Sequence, residues 1–275
     1  MTTAQILQPS VPRPQATVLP AGASRIGATG LASLWQLAAT LTVAAALSGV
    51  ASMFDDRTIG HYNVWVKPMK FQLALAIQTA TIAWAVTRFE PAMRRIAMPR
   101  AVSWLWLAVA LAETLYITLQ GARGVASHFN RNTAWEGVAG TAMAVGAGLL
   151  VLVTLWVGLA ALWQARRLHW APLPLAIGLG FVLGSLLAAW TGGAMGAIRG
   201  YWPQPLVEPV QWMPVTGWVL SQTDLRIGHF IGLHQMQLLP ALVLAGAWAG
   251  WGCRALRVVA AVAGVVSVVI VSLLI

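Results

Sequence analysis

The chain has 275 residues, of which 59% are hydrophobic and only 9% charged, with a formal net charge of +10 and a mean hydropathy of +0.74. A soluble domain covers itself with roughly a quarter charged residues, so this composition places the chain in a membrane. Disorder, a disulfide scaffold built on the single Cys253 and a nucleic-acid-binding domain are disfavoured too, because the basic residues punctuate long apolar runs and form no patch on a polar face.

Residues 1–30, with Pro9, Pro12, Pro14 and Pro20 among Gln, Thr and Ser, read as a flexible cytoplasmic tail. They have neither a charged start before an apolar core nor a small-residue cleavage site, so a signal peptide is not expected. Residues 31–275 read as one all-α bundle of about seven transmembrane helices. The expected spans are about Leu31 to Met53, Val64 to Thr87, Ala101 to Gly121, Gly137 to Trp163, Pro172 to Met195, Ile227 to Ala249 and Arg257 to Ile275. The ten-residue alternation of a β-barrel is not visible.

Lys and Arg counted by loop set the orientation. Arg88, Arg94, Arg95, Arg100, Arg166, Arg167, Arg254 and Arg257, with Arg13 and Arg25 of the tail, fall on one side against the single acid Glu90. The other side mixes Arg57, Lys67, Lys70, Arg123, Arg131, Arg199 and Arg226 with Asp55, Asp56, Glu136, Glu208 and Asp224. The N-terminus is therefore expected in the cytoplasm of a bacterial inner membrane and the C-terminus outside. Most of the Trp residues near segment ends, Trp35, Trp104 and Trp251 among them, suit an interfacial belt.

The dense polar strings all fall on the expected outer side: HYNVWVKPMKF, QGARGVASHFN, IRGYWPQP and SQTDLRIGHFIGLH. In the second segment Lys67, Lys70, Ala74, Gln78 and Thr81 share a face; the two ammonium groups either snorkel to the interface or turn inward to an anion. In the third, Glu113, Tyr116, Gln120 and Arg123 form one stripe, with Glu113 roughly 10 Å deeper than Gln120. A carboxylate at that depth is costly unless paired, protonated or hydrated, so Glu113 is either a packing bond or a functional acid or base. In the sixth, Ser221 and Asp224 have the spacing of a capping box, which alone explains Asp224. Arg226, His229, His234 and Gln237 then spread over a sector too broad for one neighbouring helix. His61 and His169 read as plain interfacial residues, and Gly192, Gly193 and Gly196 as packing positions. The spacing of His229 and His234 is not a zinc signature, and no HExxH motif occurs.

The strings VWVKPMKF at 64–71, ETLYITLQGARGVASHFN at 113–130 and DLRIGHFIGLHQMQLLP at 224–240 resemble those of a family of bacterial multi-pass membrane proteins marked by WVKPxKF, QxxRGxxSHFN and GDLRxxHFxGLHxxQxLP. The resemblance implies a multi-pass bundle and singles out the same polar residues; no activity comes with it. Thr223 stands where that family usually has Gly, so the turn into the sixth segment is expected to differ.

The leading functional expectation is an enzyme-like site open to the outer face. His128, His229 and His234 would hold a zinc or iron ion or relay protons, with Glu113 and Asp224 as acid or base. Lys67, Lys70, Gln120, Arg123, Arg131, Arg226 and Gln237 would line the site for an anionic or lipid-like substrate. The alternatives are electron transfer through haem b on two imidazoles, a proton-coupled transporter relaying between Glu113 and His234, and a membrane assembly or scaffold protein.

Overall fold

A computed structural model describes residues 21–214 and 216–275. The chain is a helical bundle: α1 (Ala21–Ala51), α2 (Val66–Thr87), α3 (Pro91–Ala97), α4 (Arg100–Ala122), α5 (Ala134–Arg167), α6 (Pro172–Ile198), α7 (Leu225–Leu233), α8 (Gln235–Trp248) and α9 (Cys253–Leu273). Helix α1 starts well before the expected Leu31, and the rest of the expected tail lies outside the described residues. The bundle agrees with the all-α expectation; the connection after α1 carries a short two-stranded hairpin, β1 (Thr58–Ile59) and β2 (Tyr62–Asn63), that turns at Gly60 with φ +64°.

Among the described residues five helices are long and apolar enough to cross a membrane: α1, α4, α5, α6 and α9. A sixth crossing is met only by α7 and α8 together, which bend by 47° at His234 where one continuous segment was expected. The local cause is visible in the hydrogen bonds. The side-chain Nε2 of Gln235 donates to Ile231 O at 2.8 Å, the carbonyl that the backbone N–H of Gln235 would take in a continuous helix. Close packing holds the bend: a Cβ on Gly180 would stand 2.5 Å from Gln235 O. By contrast, Gly193 and Gly196 have open space at the Cβ position, which corrects their expected packing role.

Helix α2 is 22 residues long, enough for a crossing, but too polar to be recognised by apolarity alone. Its polar side chains are the ties of the bundle. Gln72 accepts from Ser48 of α1 at 2.8 Å and donates to Thr118 of α4 at 2.9 Å. Gln78 donates to Thr154 of α5 at 3.1 Å, Thr79 accepts from Trp106 of α4 at 3.0 Å, and Thr81 accepts from Gln237 of α8 at 3.0 Å. Around them lies an apolar cluster that includes Trp106, Phe89, Phe181, Ile82 and Met236.

Three connections gather at one pole of the bundle: 52–65, 123–133 and 199–224. His61 stacks on Trp212 with centroids 4.2 Å apart, and Phe129 meets Tyr201 at 5.5 Å. At the opposite pole Gln164 of α5 receives the N–H of Glu90 at 2.9 Å, fixing the start of α3.

Interhelical side-chain bonds in a membrane contribute about 0.6 kcal/mol each on average. Gln72→Leu, which removes two ties from a side chain only 4% exposed, is expected to destabilise the protein by about 1–2 kcal/mol, and Gln78→Leu by about half as much. Unfolding in detergent micelles measures both; equal losses would contradict the two-tie role of Gln72.

Candidate functional site

The first turn of α2 sets two ammonium groups into the pole. Lys70 Nζ donates to Thr216 O at 2.6 Å and lies 5.3 Å from the Tyr62 ring centroid. Lys67 is half-buried beside the Phe71 ring, 5.9 Å from its centroid, and within electrostatic reach of Lys70 and Arg226. Among the described residues no hydrogen bond or ion pair reaches Lys67 Nζ.

The start of α7 supplies the third cation. Asp224 caps the helix by accepting from Arg226 N at 3.0 Å, and also accepts from Val219 N at 3.0 Å. Its carboxylate is gripped in addition by the Arg226 guanidinium, with Arg226 Nε 2.8 Å from Oδ1. Arg226 Nη2 reaches on to Gly217 O at 2.8 Å, and the guanidinium lies over Tyr201 at 4.6 Å and Trp202 at 5.5 Å. Burial pushes the Tyr201 phenol up to about 12, so it stays protonated beneath the cation. Asp224 is thus a cap and counter-ion, not a free catalytic acid. Ser221, expected as the capping residue, instead accepts from Gln211 N at 3.4 Å.

His128 completes this side. Its ring lies 5.4 Å from Phe71 and 6.3 Å from Phe129, with Nδ1 3.2 Å from Ser127 Oγ. Burial, reinforced by the nearby charge of Lys67, pushes the imidazole down to about 3, so it is neutral at neutral pH. An aromatic path therefore runs from Phe71 through His128, Phe129, Tyr201 and Trp202 to Trp212, with Lys67 at one end and Arg226 against its middle. On the rim, Arg57 grips Asp55 through Nε and Nη2 while Trp65 Nε1 donates to the same carboxylate. Those bonds hold the Asp55 carboxyl well below the usual carboxylate range.

Other expected site residues are engaged in bonds outside this cluster. Gln120 is buried, donating to Tyr116 Oη at 3.1 Å and accepting from Arg123 Nη1 at 2.6 Å, and Arg123 reaches Glu136 at 3.6 Å. Glu136, 3% exposed and with Oε2 unpartnered, was missed as a site residue; the signal was present in Thr133, whose hydroxyl accepts from Glu136 N three residues later. Arg131 is exposed and lines a shallow hollow with Gly137 and Thr141. Gln237 serves the tie to Thr81.

The three imidazoles do not meet as expected. His229 shares a 2.7 Å hydrogen bond with Thr191 of α6. His234 sits at the break with Nδ1 2.8 Å from Phe230 O and its ring 3.9 Å from that of Phe230. Among the described residues no three His, Cys, Asp or Glu side chains are grouped to hold a metal ion, which corrects the zinc or iron expectation for His128, His229 and His234. Glu113 is 6% exposed and lies against Gly146 of α5, where a Cβ would overlap Oε1. No hydrogen bond or ion pair among the described residues joins Glu113 to His234, so the expected relay has no direct contact.

Comparison of the chain with family models, curated proteins and solved structures finds no match.

Because the unfolded chain accepts a proton near pH 6.5 that folded His128 refuses until about 3, its imidazole lowers stability progressively as pH falls below about 6.5. His128→Phe is expected to flatten the loss of stability between about pH 7 and pH 5, by at most about 1.4 kcal/mol per pH unit. The effect of Asp55 lies lower, below its ordinary value of 3.8, so denaturation midpoints across that interval separate the two groups.

Proposed function

We propose that the protein is a seven-span bacterial inner-membrane protein, N-terminus in the cytoplasm and C-terminus outside, whose outer pole recognises an anionic group such as a phosphate. The observation that carries this reading is the charge of the pole. Lys67, Lys70 and Arg226 lie within reach of one another, Asp224 is committed to Arg226, and Lys67 has no acidic partner among the described residues. A half-buried ammonium is costly to hold beside two other cations unless an anion joins them. The aromatic path from Phe71 to Trp212 limits water at that place and strengthens the attraction for an incoming anion. The reading requires no zinc, iron or haem b. It retains the anionic ligand expected from the sequence. The three marker strings that resemble the bacterial multi-pass family supply Lys67, Lys70, His128 and Arg226, so that resemblance and the anion site rest on the same residues.

The seven-span count takes α2 as a crossing and α7 with α8 as one. With the Arg-rich connections inside, a periplasm-active reporter fused after Arg95 is expected to be silent and one fused after Arg131 active. The reverse pattern would turn the pole toward the cytoplasm.

For binding, sn-glycerol 3-phosphate is expected to raise the thermal midpoint of the detergent-solubilised protein. A hydrogen bond to a charged group contributes about 1.5–3 kcal/mol, so Lys67→Gln is expected to weaken the apparent affinity roughly 10- to 100-fold. Arg131→Gln, outside the cluster, should leave it unchanged. Equal affinity in wild type and Lys67→Gln would refute the site.

A further inference from the structure

Below the cationic pole, α2 and the α7–α8 pair run inward in the same direction, tied at two levels. At the pole Lys70 donates to Thr216 O, and Arg226 donates to the adjacent Gly217 O. Eleven residues further along both helices, roughly 16 Å deeper, Gln237 donates to Thr81. The residues between these ties form two matching stripes: Lys70, Ala74, Ile77 and Thr81 on α2, and Arg226, Phe230, His234 and Gln237 on the other side. Helical spacing puts the first set on one face of α2 and Arg226, Phe230 and His234 on one face of α7 up to the break, with Gln237 beyond it on α8.

Side chains between two such ties would be buried if the helices closed on one another. They are not. Ala74 is exposed, Ile77 is 40% exposed and Phe230 is 45% exposed, while His234 is half-buried at the 47° bend. The wall of the bundle thus has an opening with a cationic upper edge, apolar and aromatic sides and a hydrogen-bonded lower edge. Trp218 extends the aromatic side upward, 5.2 Å from Phe230 by ring centroids.

We infer that this opening is a lateral seat for an anionic phospholipid, its headgroup phosphate at Lys67, Lys70 and Arg226 and an acyl chain lying between α2 and the α7–α8 pair. The inference rests on the anion reading of the pole and adds the identity of the anion's bearer. The charge of the upper edge selects against zwitterionic lipids, because Asp224 offsets only one of the three cations. A free phosphate would meet only the cationic edge and make no contact with the apolar sides at Ile77 and Phe230, which an acyl chain attached to the same phosphate reaches. The depth between the ties matches the upper part of an acyl chain within a hydrocarbon core about 30 Å thick.

The test compares three ligands on the full-length protein in dodecyl maltoside: phosphatidylglycerol, phosphatidylethanolamine and soluble sn-glycerol 3-phosphate. Thermal midpoints give the apparent affinities. Phosphatidylglycerol is expected to bind at least roughly tenfold more tightly than either of the others, and Ala74→Trp, which fills the opening, should remove that advantage while glycerol phosphate still binds. A Cys253→Ser background carrying Ala74→Cys, blocked with a maleimide after purification, gives the same comparison on protein folded before the opening is filled, since Cys253 is a free, exposed thiol. If phosphatidylglycerol has no advantage over glycerol phosphate, or keeps it when position 74 is blocked, the lipid seat is wrong while the anion site stands. If neither anion binds, both readings fall together.

Discussion

Within a bilayer, helices gain little by turning apolar faces toward each other, because lipid is as apolar as leucine. What holds this bundle is hydrogen bonding between side chains that have no water to turn to, and most of it converges on α2. Gln72, Gln78, Thr79 and Thr81 reach four other helices from one element. A helix that carries so much polarity is stable in the membrane only where those groups are satisfied by neighbours. The position of α2 then fixes the position of its first turn, and with it Lys67 and Lys70. The tie between Gln237 and Thr81 sets how close α8 approaches, and the bond from Lys70 to Thr216 anchors the long connection that delivers Arg226. Structural ties and the cationic pole are therefore two ends of one helix.

Charge follows the same economy. Three acids near the pole are engaged locally: Asp55 by Arg57 and Trp65, Glu136 through Oε1 by Arg123, and Asp224 by Arg226 and its helix N-terminus. Among the described residues Lys67 has no acidic partner where two other cations approach it, and His128 beside it is held neutral. The proposed recognition of an anion rests on that imbalance. The helix break contributes differently: by giving Ile231 O a side-chain donor, Gln235 lets α7 and α8 bend without an unsatisfied carbonyl, and the bend coincides with the opening below the pole.

Much of this was legible in the sequence. Hydropathy located the long helices, and the polar strings pointed to one pole before any contact was known. Lys67, Lys70, Arg123, Arg131 and Arg226 were marked as cationic site residues, and Asp224 both as part of a capping box behind Ser221 and as a candidate acid or base. What the sequence could not show was pairing across the fold. Nothing local distinguishes Arg123, which finds Glu136, from Lys67, which finds no acid; both are basic residues at helix ends. The break at His234 was hidden because GHFIGLHQMQLL has no proline before Pro240 and continues a helical pattern. The imidazoles looked like a ligand set because depth can be read from sequence and azimuth only along one helix. His229 turns to Thr191, His234 to its own Phe230, and His128 to Phe71.

The central claim is that Lys67 is the recognition group of an anion site built on α2. A cryo-electron microscopy map of the protein in nanodiscs containing phosphatidylglycerol tests it most directly. The account predicts phosphate density within hydrogen-bonding distance of Lys67 Nζ, roughly 2.7–3.2 Å, and flanked by Lys70 and Arg226. A map in which Lys67 pairs with a protein carboxylate, or extends to bulk solvent with no anion beside it, would contradict it.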